Sequence, residues 1–126
     1  MPESRVVLAV AAGGALGALG RQAATEVFPR DPGSFGWTVL AVNVAGCALL
    51  GMLVSYLADR RPSHRLVRPF LGVGVLGGFT TFSAFTLDTF RLADDGELPG
   101  AVAYLALTVL GCLGAAALGV QSVDRR

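Results

Sequence analysis

Four long apolar stretches, roughly 6–27, 37–58, 70–90 and 99–120, take up most of this chain. Each is close to the ~20 residues an α-helix needs to cross the hydrocarbon layer of a bilayer. No water is available there to pair with a backbone N–H or C=O, so a spanning segment must pair its own, as a helix does. Charged residues make up 15% of the chain and gather between these stretches, whereas a soluble domain carries about a quarter. The connections leave no room for a second domain. Residues 1–126 therefore read as one all-α integral membrane domain of four transmembrane helices.

Arg5 followed by apolar residues loosely matches a signal peptide, but three further spans favour a first helix that is retained. The net charge of +1 offers no basic patch for nucleic acid, so the expected surroundings are membrane lipid. Cys47 and Cys112 fall inside spans, far from any CxxC spacing. They read as small packing residues, with neither a disulfide nor a metal site suggested. His64, the one histidine, lies in an arginine-rich loop where solvent exposure is expected, and no catalytic constellation supports an enzyme. All ten basic residues are arginine. With four spans, Arg5, Arg60, Arg61, Arg65, Arg68, Arg125 and Arg126 share one side. The other side has Arg30 and Arg91, with Arg21 near a helix end. This bias favours both termini in the cytoplasm of a multi-pass plasma-membrane protein.

The third stretch departs from a plain apolar helix. Residues 72–85 read GVGVLGGFTTFSAF, in which Gly77-Gly78 weakens the helix and Thr80, Thr81 and Ser83 can bond freed backbone groups. A helix broken mid-membrane is tolerated where those groups face protein, water or an ion. Freed carbonyls suit a hard cation, and freed N–H groups suit an anion. Phe82 and Phe85, at i and i+3, could offer electropositive ring edges to a small anion. Ordinary packing is the alternative.

Elsewhere polar residues interrupt the apolar runs. Asn43 either bonds a neighbouring helix or presents its amide to a polar path, with Cys47 one turn further on the same face. Tyr104, Thr108 and Cys112 share one face of the fourth span by their i, i+4, i+8 spacing. With Ser83 and Thr86 they could form a ladder of donors for an anion crossing lipid. Arg21 either snorkels to the interface or attracts anions. Gly13 and Gly17 form a GxxxG pair suited to close helix packing. Asp88 and Arg91 read as an interfacial ion pair.

The segment GGFTTFSAF resembles the signature of the Fluc, or CrcB, fluoride channel family, typically GGxTTFSTF. GGALGALGRQ in the first span and LAVNVAGCALLG in the second are similar to that family's motifs, and the likeness covers essentially the whole chain. The resemblance implies a passive, fluoride-selective channel that relieves fluoride toxicity, built as an antiparallel dimer with two pores at its interface. It implies a structural Na⁺ at the dimer centre, held by the backbone carbonyls of Gly77 and Thr80. The matching pore residues are Asn43, Phe82, Ser83, Phe85, Tyr104, Thr108 and Cys112, with Arg21 at the vestibule. Fluoride would be the permeant ion.

Several positions differ from the family pattern. Ala84 stands in place of threonine, Thr38 and Val39 in place of glycine and threonine, and Cys112 in place of a common serine. Each change makes a polar path drier. Together with the arginine bias they raise a second reading, a subunit paired with an oppositely oriented paralogue instead of with itself. A small multidrug-type exporter is a further alternative. It needs a carboxylate within its first helix, and no acid stands between Glu3 and Glu26. A non-transporting assembly subunit would leave the TTFSAF cluster without a use.

Overall fold

A computed structural model describes residues 2–31, 34–59 and 65–124. His64 and the arginines at 60, 61, 125 and 126 lie outside the described residues. All regular structure among the described residues is helical: α1 (Glu3–Val27), α2 (Trp37–Asp59), an arm α3 over 68–79, α4 (Ser83–Asp94) and α5 (Leu98–Asp124). The arm is π-wound over Arg68–Leu76 and closes with an α-turn over Gly77–Phe79. Four helical stretches, Glu3–Val27, Trp37–Ala58, Arg68–Asp94 and Leu98–Asp124, are long and apolar enough to cross a membrane. They outrun the sequence boundaries mainly at their ends, where charged residues such as Asp94 and Asp124 still continue the helix.

Local chemistry sets the ends. Phe28 caps α1 and is followed by Pro29, whose ring disfavours a helical conformation in the residue before it. At the end of α4, Gly96 takes φ +83°. The N–H groups of Gly96 and Glu97 donate back to the carbonyls of Ala93 and Leu92. This is the 5→2 and 6→1 pairing of a Schellman cap, with glycine where a side chain would be strained. Pro99 then falls in the first turn of α5, where its missing N–H costs nothing.

Two helix pairs dominate the packing: α2 on α5, and α1 on α3. Both run parallel, since contacts rise together along each pair. A side chain added at Gly13 would meet the backbone of Phe70 and Gly74, and one at Gly17 would meet Val75 and Phe79. On the other pair, a side chain at Gly51 would strike the carbonyl of Ala116, and one at Gly119 the carbonyl of Ala48. Backbones approach this closely only where Cβ atoms are missing, which is how helices associate in lipid without a hydrophobic driving force. Most apolar side chains point outward. In the most apolar window of each span, burial is 11% for the first and third helices and 28% for the second. That surface suits lipid and protein neighbours, and the chain is a multi-pass membrane protein.

The chain breaks over residues 80–82 between α3 and α4. Thr80 has ψ 151°, an extended conformation that ends the helix. Before the break the arm packs on α1; after it, α4 packs on α5. The interruption thus redirects one stretch from the first helix pair to the second, across the middle of the molecule.

Candidate functional site

The break is held by side chains from two other helices. Asn43 on α2 is 5% exposed, and its amide bonds the backbone of Thr81 twice. Nδ2 donates to the Thr81 carbonyl at 2.8 Å, and Oδ1 accepts from the Thr81 N–H at 2.7 Å. On the opposite flank, Arg21 Nε donates to the carbonyl of Gly78 at 3.3 Å. Gly46, one turn beyond Asn43, leaves the space that the Thr80 side chain fills. Thr81 Oγ1 accepts from the Ala84 N–H at 3.2 Å and sits 3.3 Å from Ser83 Oγ.

These bonds release two particular carbonyls. In a continuous helix the Thr81 N–H would go to Gly77 and the Ala84 N–H to Thr80. Here the first goes to Asn43 and the second to Thr81 Oγ1. The carbonyls of Gly77 and Thr80 therefore lose their usual donors, leaving hard oxygen ligands of the kind that suits a hard cation. The residues present fit such an ion. Among the described residues no three His, Cys, Asp or Glu side chains group as metal ligands, so these oxygens would have to come from the backbone.

Beside the break lies an open cavity of about 250 Å³ lined by Asn43, Cys47, Thr80, Thr81, Phe82, Phe85, Thr108, Val109 and Cys112. None of these carries a formal charge. Phe82 and Phe85 stand edge to face at 5.7 Å between ring centres, but their settings differ: Phe85 is 5% exposed and Phe82 77%. Phe82 is a large apolar ring left open at the cavity mouth.

Thr108 is the exception among the helical threonines. Thr80, Thr86 and Thr89 each return their hydroxyl to the carbonyl four residues back, at 2.8–2.9 Å, a common way for a threonine to satisfy itself in a helix. Thr108 makes no such bond. Its Oγ1 is the one buried side-chain polar atom among the described residues without a partner. A buried, unpaired hydroxyl costs about 1–3 kcal/mol, and this one belongs to a cavity-lining residue.

Not every expected residue lines this cavity. Tyr104 is fully buried one turn before Thr108 and packs on Phe85 at 5.8 Å. Its hydroxyl donates to the Gly36 carbonyl at 3.2 Å and reaches Asp88 Oδ2 at 3.4 Å. Ser83 is exposed and turned to Thr81, while Thr86 is exposed and bonded to the Phe82 carbonyl. Neither joins a hydroxyl ladder with α5. Arg21 sits at the break and not in the cavity.

The Asp88–Arg91 pair is corrected. Asp88 Oδ1 pairs with Arg30 at 3.0 Å, and Arg91 is exposed. Arg30 comes from the connection between α1 and α2, 58 residues away, so no local spacing could have shown it. Its Nε also ties the connection through the Ser34 carbonyl. This pair borders a second hollow of about 460 Å³, with Asp31, Thr38 and Arg91 among its lining residues. Thr81, whose backbone and hydroxyl organise the break, stood out in sequence only as one of a run of hydroxyls.

Residues 8–120 match the family model described as CrcB-like protein, Camphor Resistance (CrcB). Curated relatives carry ion-channel names, which sets this chain among transport proteins and not among enzymes. It is 47% identical over 98% of its length to "Fluoride-specific ion channel FluC 1" of Streptomyces coelicolor, covering 80% of that protein. It is 49% identical over 86% of its length to "Fluoride-specific ion channel FluC 2" of Thermobifida fusca, again covering 80%. Identity to "Fluoride-specific ion channel FluC" of Nitrobacter winogradskyi is 43%, over 93% of this chain and 94% of that one.

Proposed function

Because the chain belongs to the CrcB family, we propose that it is a fluoride-selective ion channel through which cytoplasmic fluoride leaves the cell passively. The observation that carries the reading is the partnerless hydroxyl of Thr108, buried in an uncharged cavity between Asn43, Phe85 and Cys112. A small, hard anion leaving water must have each lost hydration contact replaced. The Thr108 hydroxyl is free to donate one bond, the Cys112 and Cys47 thiols can donate weakly, and the phenylalanine edges add electropositive C–H. No lining carboxylate repels the ion. Larger halides are held less strongly by short O–H donors, which gives the selectivity its physical basis.

Ser83 and Tyr104 would act at the ends of this path, and Arg21 would raise the anion concentration at a vestibule beside the break. Phe82, open at the mouth, would be closed over by a second chain. The unit is an antiparallel dimer, a single four-helix domain in each copy, with both termini on the cytoplasmic side of the plasma membrane for this copy. Na⁺ fits the freed carbonyls of Gly77 and Thr80 from each of two chains; when bound it supplies a fixed positive charge that holds the two breaks together.

The arginine bias, with Val39 sealed in the core at 9% exposure and Ala84 lacking a hydroxyl, favours one further form of this reading. A chain held to one orientation would pair with an oppositely oriented paralogue, one of the two pores being drier. A test is fluoride efflux from liposomes holding the purified chain, followed with a fluoride electrode beside a chloride control. Rapid efflux of fluoride alone is the result expected of a self-paired channel; it would establish a conducting homodimer and remove the paralogue form. No efflux from the folded chain, alone or with a paralogue, would sink the channel reading.

A further inference from the structure

The cavity contains a pair of groups that the permeation reading uses only as weak donors. Cys47 on α2 and Cys112 on α5 are both free thiols and both half-buried. They line the same cavity of about 250 Å³, one from each helix. The register of the two parallel helices brings them together. Gly36 meets Tyr104 below them, Gly51 meets Ala116 above, and Ser55 meets Asp124 at the far end. Close backbone approach at Gly51 and Gly119 holds the helices at this spacing, so both thiols line the cavity from packed helices and not from loops.

We propose that Cys47 and Cys112 form a two-thiol site for a soft divalent cation of the Hg²⁺ type, and that its occupancy closes the cavity to an anion. Three features select this ion class. Sulfur ligands favour soft over hard ions. Among the described residues no third His, Cys, Asp or Glu joins the pair, so the ion must be content with two ligands. The lining is uncharged, and in a low-dielectric cavity a net charge is costly. Two thiolates and one divalent ion make a neutral complex, which a monovalent ion with two thiolates would not. Binding breaks two S–H bonds, forms two metal–sulfur bonds and releases two protons to water; nothing is oxidised or reduced. The cavity loses both thiol donors, and α2 becomes cross-linked to α5 beside Thr108. The blocking effect rests on the channel reading above, whereas the site itself does not.

The experiment titrates the purified full chain in detergent with Hg²⁺, counting bound ion and the thiols left for a maleimide. The expected result is one ion per chain with both thiols consumed together. C47S and C112S should each raise the Hg²⁺ concentration for half-occupancy by about 100-fold, the loss expected when a two-point attachment becomes one. Zn²⁺, which takes four ligands, should protect neither thiol at the same concentration. Two ions per chain, or one thiol consumed without the other, would overturn the site on the wild-type protein alone, whatever the variants' folding. In liposomes, Hg²⁺ should cut fluoride efflux at least 10-fold and dithiothreitol should restore it. Full occupancy with unchanged efflux would overturn the closure. Untreated chains that pass no fluoride, alone or with a paralogue, would overturn the channel reading and the closure together, while the ion count still decides the site.

Discussion

Thr108, Asn43 and Phe82 each make a different use of one side chain, and substitution can separate them. Thr108→Val keeps the shape and removes an oxygen that has no partner in this structure. Its effect on stability should be neutral or favourable, by up to about 1–3 kcal/mol, while fluoride efflux should fall at least 10-fold. Thermal melting in detergent beside liposome flux checks both. A fall in stability with unchanged flux would make the hydroxyl structural. Asn43→Ala should do the reverse to stability, because it strands the Thr81 N–H and C=O together, at about 1–3 kcal/mol for each unpaired group. The melting temperature should drop well below that of Thr108→Val. Phe82→Ile removes the ring edges but keeps a large apolar side chain at this exposed position, so assembly should survive and flux should be lost. Undiminished flux would show that the ring only covers surface. At this scale the sequence showed which residues were unusual for a membrane span. It could not show that Thr108 is unpaired while Thr80, Thr86 and Thr89 are satisfied, because each lies in a helix or at the end of one, with a carbonyl four residues back. The spatial setting of each decides that.

Among the elements, the glycines divide into those that set helix spacing and those that do not. A Cβ at Gly17 would run into the backbone of Val75 and Phe79, whereas one at Gly114 would meet nothing within 4 Å. Gly17→Ala should therefore push α1 off α3 and sharply reduce the yield of folded protein in size-exclusion chromatography. Gly114→Ala should leave both yield and melting unchanged, or raise melting slightly through the better helix propensity of alanine. The GxxxG of the first span was legible as a packing motif, and the structure gives it α3 as its partner. The Gly-Gly pair was read as the point of weakness, yet Gly77 and Gly78 lie in a helical turn and the interruption comes at Thr80–Phe82. One reason is that Gly78 serves close approach, against the backbone of Gly14. The break itself follows from Asn43 and Thr81 Oγ1 capturing N–H groups that a helix would have used. A glycine marks where a helix can yield; competing acceptors from other elements decide where it does.

For the molecule as a whole, the large outward apolar surface and the two freed carbonyls make assembly the natural measurement. Replacing Na⁺ throughout purification by a large organic cation should shift the chain from dimer towards monomer in a detergent dilution series, and restoring Na⁺ should reverse the shift. A dimer indifferent to the cation would remove the carbonyl site at Gly77 and Thr80. What the sequence determined alone was the class of molecule. The lengths and polarity of four stretches dictate spanning helices, because hydrocarbon leaves the backbone no other way to pair, and the motifs carry the family. Tertiary structure decided the chemistry of the site. Asn43 with Thr81, Arg21 with Gly78 and Arg30 with Asp88 are pairings across 38 to 58 residues. No local periodicity encodes such contacts; they arise from which helix faces meet when small residues let two parallel pairs close on each other.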